Sequence, residues 1–333
     1  MTAAEAVAAL LFGALTAYAL LGGADFGGGL WDLVAGGDRR GQRARGLIEH
    51  SLGPVWEANH VWLIFTVVLL WTGFPSVFAA VASTMYIPLT VAALGIIVRG
   101  AGFAFRKTST TLAAQRLFGA GFAVSSVLTP FFLGAVAGGI ASGRVPPGIA
   151  EGDLVTSWWN PTSVAAGVLA VGVCGYLAAV FLVRDAQRHA PDLVPRLRRR
   201  ALATGLVVGG LAVAGLVVVG MDAPALAARL RAPVPAALVA VSATSGLVSL
   251  ALLWRRRFVA VRITAGTAAG GVLWAWAAAQ HPMLLPPGAT IAGAAADPAV
   301  LHAVLVASAV GAAILAPSLW WLLRISQSGD HSG

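Results

Sequence analysis

From end to end the chain alternates between apolar runs of about twenty residues and short polar joints. That pattern constrains the fold more than any motif. Roughly 20 apolar residues are what an α-helix needs to cross a bilayer. In lipid the backbone must satisfy its own hydrogen bonds, so such runs can only be helices. Nine are present, at 6–33, 52–73, 76–98, 117–141, 162–183, 201–221, 234–254, 259–280 and 300–322. They predict an all-α polytopic membrane protein with nine transmembrane helices, organised as a single integral membrane domain over 1–333. Composition agrees: 58% of the residues are hydrophobic, 11% are charged and the mean hydropathy is +0.84, whereas a soluble domain carries about a quarter charged residues. No soluble domain or long linker interrupts the pattern, and 142–161 and 281–299 read as ordinary connecting loops.

The basic residues orient the spans. Of the 22 Lys and Arg, all but Arg144, Arg229 and Arg231 fall in alternate joints, after helices 1, 3, 5 and 7 and in the tail. The positive-inside rule then gives an outer N-terminus and a cytoplasmic C-terminus. It also accounts for the net charge of +9 as a solvated cytoplasmic face near anionic lipid, without nucleic acid. The N-terminus has Glu5 in place of a basic region, which reads as a retained first helix. The one cysteine, Cys174, excludes an internal disulfide and reads as a small buried hydrophobe. Gly134/Gly138, Gly205/Gly209 and Gly266/Gly270 have the small-xxx-small spacing of close helix pairs. Pro88, Pro130 and Pro317 fall inside spans and predict kinks.

Ionisable groups inside spans are costly and usually functional. Asp25, in GGADFGGGLWDL, lies two-thirds along helix 1. It is either a protonatable group inside the bundle or an interfacial cap of a helix ending at Gly27. Glu57 lies about five residues into helix 2, roughly 7–8 Å deep at 1.5 Å per residue. It approaches from the same side as Asp25, as a proton-exchanging partner or as a helix cap favoured by the dipole. Two neighbouring carboxylates in a low dielectric seldom both ionise, which suits a proton relay. His60 reads as a relay group, a core histidine or a haem ligand without a second well-placed axial histidine. Asn59 stands beside it. Arg99 is either an ion-pair partner for these acids or a snorkelling charge at a helix end. Trp56, Trp62, Trp71, Trp158 and Trp159 read as interfacial anchors, with Trp56 inside the acidic cluster.

The motifs GGADFGGGLWDL, LGPVWEANHVWLI, MYIPLTVAALGIIVRGAGFAFR, WWNPTSVAAGVLAVGVCGYLA and QHPMLLPPGATIAGAAADPAVL, in this order, resemble subunit II of the cytochrome bd-type quinol oxidases, with a cyanide-insensitive-oxidase-like branch left open. That resemblance covers essentially the whole chain. It implies two four-helix bundles plus one peripheral helix, in a multi-pass protein of the bacterial plasma membrane. It implies a haem-free partner of a subunit I that holds haem b and haem d, in a complex that oxidises quinol and reduces dioxygen to water. It also implies a cytoplasmic proton path through Asp25 and Glu57, supported by Trp56, Asn59, His60 and Arg99. Quinone or lipid in a groove and small accessory subunits are compatible with it. The chain departs from the family pattern at Gly22, Glu57, Ala58, His60 and Ala104, which stand where an acid, Asp, Gly, Gln or Glu, and an acid are usual. A proton-coupled secondary transporter is the rival class, weakened because the glycine-rich break at 22–29 has no counterpart in the second half. A purely structural partner, its acids serving only to bind subunit I, is a third reading.

Overall fold

The structure, a computed structural model, describes residues 1–36, 39–52, 56–108 and 111–328. Within these, the side chains of 39, 40, 52, 56, 57, 106–108, 112, 316 and 318–328 lie outside the description. Twelve α-helices form among the described residues: α1 (Ala3–Leu33), α2 (Arg39–Leu52), α3 (Trp56–Gly73), α4 (Pro75–Thr84), α5 (Tyr86–Thr108), α6 (Leu112–Ala141), α7 (Pro161–His189), α8 (Val194–Asp222), α9 (Pro224–Leu230), α10 (Pro233–Trp254), α11 (Phe258–Gln280) and α12 (Pro298–Ser328). Eight are long and apolar enough to cross a membrane. The pair Ala58–Gly73 and Pro75–Thr84, bent by 119°, makes a ninth candidate.

Local chemistry starts and stops these helices. Thr2 and Glu5 form a reciprocal capping box at the start of α1. Asn160 caps α7 by accepting the Ser163 N–H at 2.9 Å, with Pro161 in the first turn.

α5 packs on α6, α6 on α7, α7 on α8 and α10 on α11, and α12 packs on α1 and α3. α1 runs through this arrangement, packing on α3, α6, α7 and α11. The glycines of its lower half make this contact possible. A Cβ on Gly27 would lie 1.9 Å from the Cys174 carbonyl oxygen, and one on Gly29 would lie 2.1 Å from Ser126 Oγ. Of the three small-xxx-small pairs, Gly134 and Gly138 press against α7 backbone. Gly205 lies tight against Leu250 and Tyr176 but its partner Gly209 meets nothing within 4 Å, and Gly266 and Gly270 make only ordinary contacts. Spacing alone therefore does not mark a close helix pair.

Several expectations need correction. The joint after helix 1 is not a loop but the polar helix α2, whose Leu47 and Ile48 dock on α7 beside Ala186 and Ala190. The third run, read as 76–98, is two elements. α4 ends at Thr84, and α5 begins at Tyr86 and continues to Thr108. Pro88 sits in the first turn of α5, where its missing N–H has no helical partner to lose, so it kinks nothing. Pro130 and Pro317 do lie inside helices. Arg324 belongs to α12 rather than to a tail. The outer loop 281–299 holds a two-stranded antiparallel hairpin, β1 (Met283–Leu285) with β2 (Ala289–Thr290).

The arginine-rich end is also more than a solvated face. Arg200 and Arg196 donate to the Val34 and Ala35 carbonyls at 3.0 and 3.5 Å, just past the end of α1. Arg198 donates to Leu253 and Trp254 at 2.8 and 2.7 Å at the end of α10. These are carbonyls that a helix terminus leaves without intrahelical donors.

A candidate proton-handling nest between α1, α3, α5 and α6

Asp25 does not cap the end of a helix. α1 continues two more turns past it, because Gly27 and Gly29 let α7 and α6 cover that stretch closely. The side chain is 3% exposed. Asn59, one turn into α3 and 7% exposed, donates its amide N–H to the Asp25 carboxylate and lies 3.4 Å from the Leu21 carbonyl.

Arg99 completes the nest from α5. It is not a snorkelling charge at a helix end: it lies mid-helix and is 2% exposed. Its Nη2 donates to the Asp25 backbone carbonyl at 2.7 Å and its Nε to Ser126 Oγ at 3.1 Å. Ser126 in turn donates to the Phe122 carbonyl at 2.6 Å. The guanidinium carbon stands 4.9 Å from the Phe26 ring centre and 5.0 Å from that of Phe122, within cation–π range. A buried cation requires hydrogen bonds and a compensating charge to be tolerated, and Asp25 and Arg99 are brought together at the same backbone unit of α1.

His60 is half-buried, its ring 6.0 Å from both the Tyr18 and Phe26 ring centres. Its plane is tilted by 47° to the Tyr18 ring and by 69° to the Phe26 ring. Among the described residues no group of three or more His, Cys, Asp or Glu is placed to hold a metal ion. Cys174 is buried against Tyr18 and Phe26. The side chains of Trp56 and Glu57 lie outside the described residues, although their helical backbone opens α3 next to Asn59. The structure thus brings Asp25, Asn59, His60 and Arg99 together among the described side chains. Sequence reasoning missed Ser126, Phe26, Phe122 and Tyr18. The serine pair in GFAVSSVLTP was a readable polar signal; the aromatic residues are indistinguishable from ordinary core in an apolar run.

Comparison with known proteins places the fold. A family model described as cytochrome bd terminal oxidase subunit II matches residues 3–326. The chain belongs to that family. Cytochrome bd ubiquinol oxidase subunit 2 of Bacillus subtilis is 28% identical over 184 residues, 54% of this chain and 52% of that one. Cytochrome bd-I ubiquinol oxidase subunit 2 of Escherichia coli K12 is 28% identical over 200 residues, 58% of this chain and 51% of that one. The chain therefore spans about half the length of the curated relatives it matches. The solved bd oxidase from Geobacillus thermodenitrificans contains a chain with the same fold. The two superpose with a TM-score of 0.77 at 23% identity, over 98% of each. As a cytochrome bd subunit II family member with these spans, the chain is a multi-pass protein of the bacterial plasma membrane.

Proposed function

We propose that this chain acts as subunit II of a cytochrome bd-type terminal oxidase, a single membrane domain beside a haem-bearing subunit I. The complex would oxidise quinol and reduce dioxygen to water. The family match over residues 3–326 carries this reading, and nothing in fold or family favours a transporter.

The haems b and d belong to subunit I in this reading and supply the electron transfer to dioxygen there. This chain's part is to move protons. Glu57, at the start of α3, takes a proton from the cytoplasmic side, and Asp25 receives it within the bundle. Asn59 holds the Asp25 carboxylate in one orientation through its amide N–H. Arg99 supplies a fixed positive charge at the same backbone unit and keeps the nest polar inside an apolar bundle. His60 and Trp56 support the path from α3. Burial of Asp25, Asn59 and Arg99 within one contact shell supports this reading, because lipid alone would not tolerate them.

The test is quinol oxidase turnover, normalised to haem absorbance, in membranes carrying Asp25→Asn or Glu57→Gln. General acid–base contributions are about 10²–10⁴-fold, and a loss of at least tenfold in each variant is the expected result. Full turnover in both, with haem content intact, leaves the acids a purely structural role.

A further inference from the structure

At the arginine-rich end, two histidines with no part in the proton-handling nest face one another. His50 lies in the last turn of α2 and His189 in the last turn of α7. Both are exposed. Their ring centres are 4.7 Å apart, with the planes tilted by 57°. We propose that this pair is a binding site for a divalent transition-metal ion, of the Cu²⁺, Ni²⁺ or Zn²⁺ class, held by the two imidazoles with water in the remaining positions.

Three observations carry it. The first is spacing. An imidazole nitrogen bonds such ions at about 2.0–2.1 Å, so two rings on one tetrahedral ion have their centres about 5 Å apart. The observed 4.7 Å between ring centres is close to that value. The second is the tautomer. His189 Nδ1 lies 3.1 Å from the Asp185 carbonyl oxygen of its own helix. A carbonyl only accepts, so Nδ1 carries the hydrogen and donates it, leaving the Nε2 lone pair as a ligand. Metal-bound histidines are generally fixed in this way through their other nitrogen. The third is what the neighbouring acids do. Asp192 is tied to Arg43 at 2.8 Å and Asp185 to Arg262 at 2.6 Å. Those two carboxylates are engaged in ion pairs, and the imidazole nitrogens of the pair favour transition ions over Mg²⁺ or Ca²⁺ and Cu²⁺ above the rest.

The ion would bridge α2 to α7 along the seam where Leu47 and Ile48 already dock, one joint before the helix that carries Glu57.

The experiment is Cu²⁺ titration of the purified oxidase complex, prepared without a polyhistidine tag, followed by calorimetry and by electron paramagnetic resonance. The wild type should take up one ion with coupling to two nitrogens. His50→Gln and His189→Gln should each weaken binding at least tenfold, and His302→Gln, at the far end of the molecule, should leave it unchanged. Both rings are exposed, so the substitutions spare the packed seam beneath them. Wild-type affinity in both variants overturns the site. So does weakening in only one of them, or a spectrum with a single coupled nitrogen, since one imidazole would then suffice.

Discussion

A methyl group added at Gly27 would sit 1.9 Å from the Cys174 carbonyl oxygen, whereas one added at Gly209 would meet nothing within 4 Å. The two glycines therefore predict opposite outcomes. Gly27→Ala forces α1 away from α7 and should cost about 1–3 kcal/mol or more. Gly209→Ala should be neutral, or stabilising by up to about 1 kcal/mol, since alanine is the better helix former. Thermal unfolding of the two variants in detergent checks the pair. Asp25 was legible in the sequence because a charge in an apolar run has few places to go. Arg99 was left between an ion-pair partner and a charge at a helix end because RGAGFAFRK looks like the end of a span. The helix carries on because Gly102 brings it against the Phe118 and Phe122 backbone, a tertiary contact with no local signature.

At the scale of elements, the outer end is held by side chains reaching between helices. Arg144 makes a two-point contact with Asp222 at 3.0 and 2.8 Å, and Thr162 Oγ donates to Asp222 at 2.6 Å. This ties the end of α8 to the start of α7. Asp222→Asn should loosen both helix ends, costing about 1–3 kcal/mol, seen as faster amide exchange in 142–162. In the same loop, the Val155 and Thr156 N–H groups donate to the exposed Asp153 carboxylate at 2.9 and 2.6 Å and hold its pKa below the ordinary value. A carboxylate with a depressed folded pKa stabilises above its unfolded value and loses that contribution as pH falls through the folded one. Acidification below about pH 4 should therefore release the 153–156 turn, increasing proteolytic cleavage there. Apolar run length located the spans well, but it could not show that the backbone turns by 119° between α3 and α4 or starts again after Met85. Those breaks depend on Pro75 and on how Phe74 and Met85, both fully buried, seat in the core. The polar helix α2 was hidden differently, since its arginines were counted as loop charge.

Over the whole molecule, the charge asymmetry makes a testable statement about sidedness. In a Cys174→Ala background, a cysteine at Ile149 should react with an impermeant thiol reagent from the outer side. One at Arg257 should react only once the cytoplasmic face is opened. Both positions are exposed beyond helix ends. The reverse pattern would invert the assignment of cytoplasmic and outer ends.

Because α1 touches α3, α6, α7, α11 and α12, it is the mast to which much of the bundle is rigged. It is synthesised before them, and α7, α11 and α12 emerge more than a hundred residues later. Until α7 arrives, the glycine face must be covered by lipid or by an insertion factor. Biogenesis thus has a waiting period that a chain with its central helix in mid-sequence would escape.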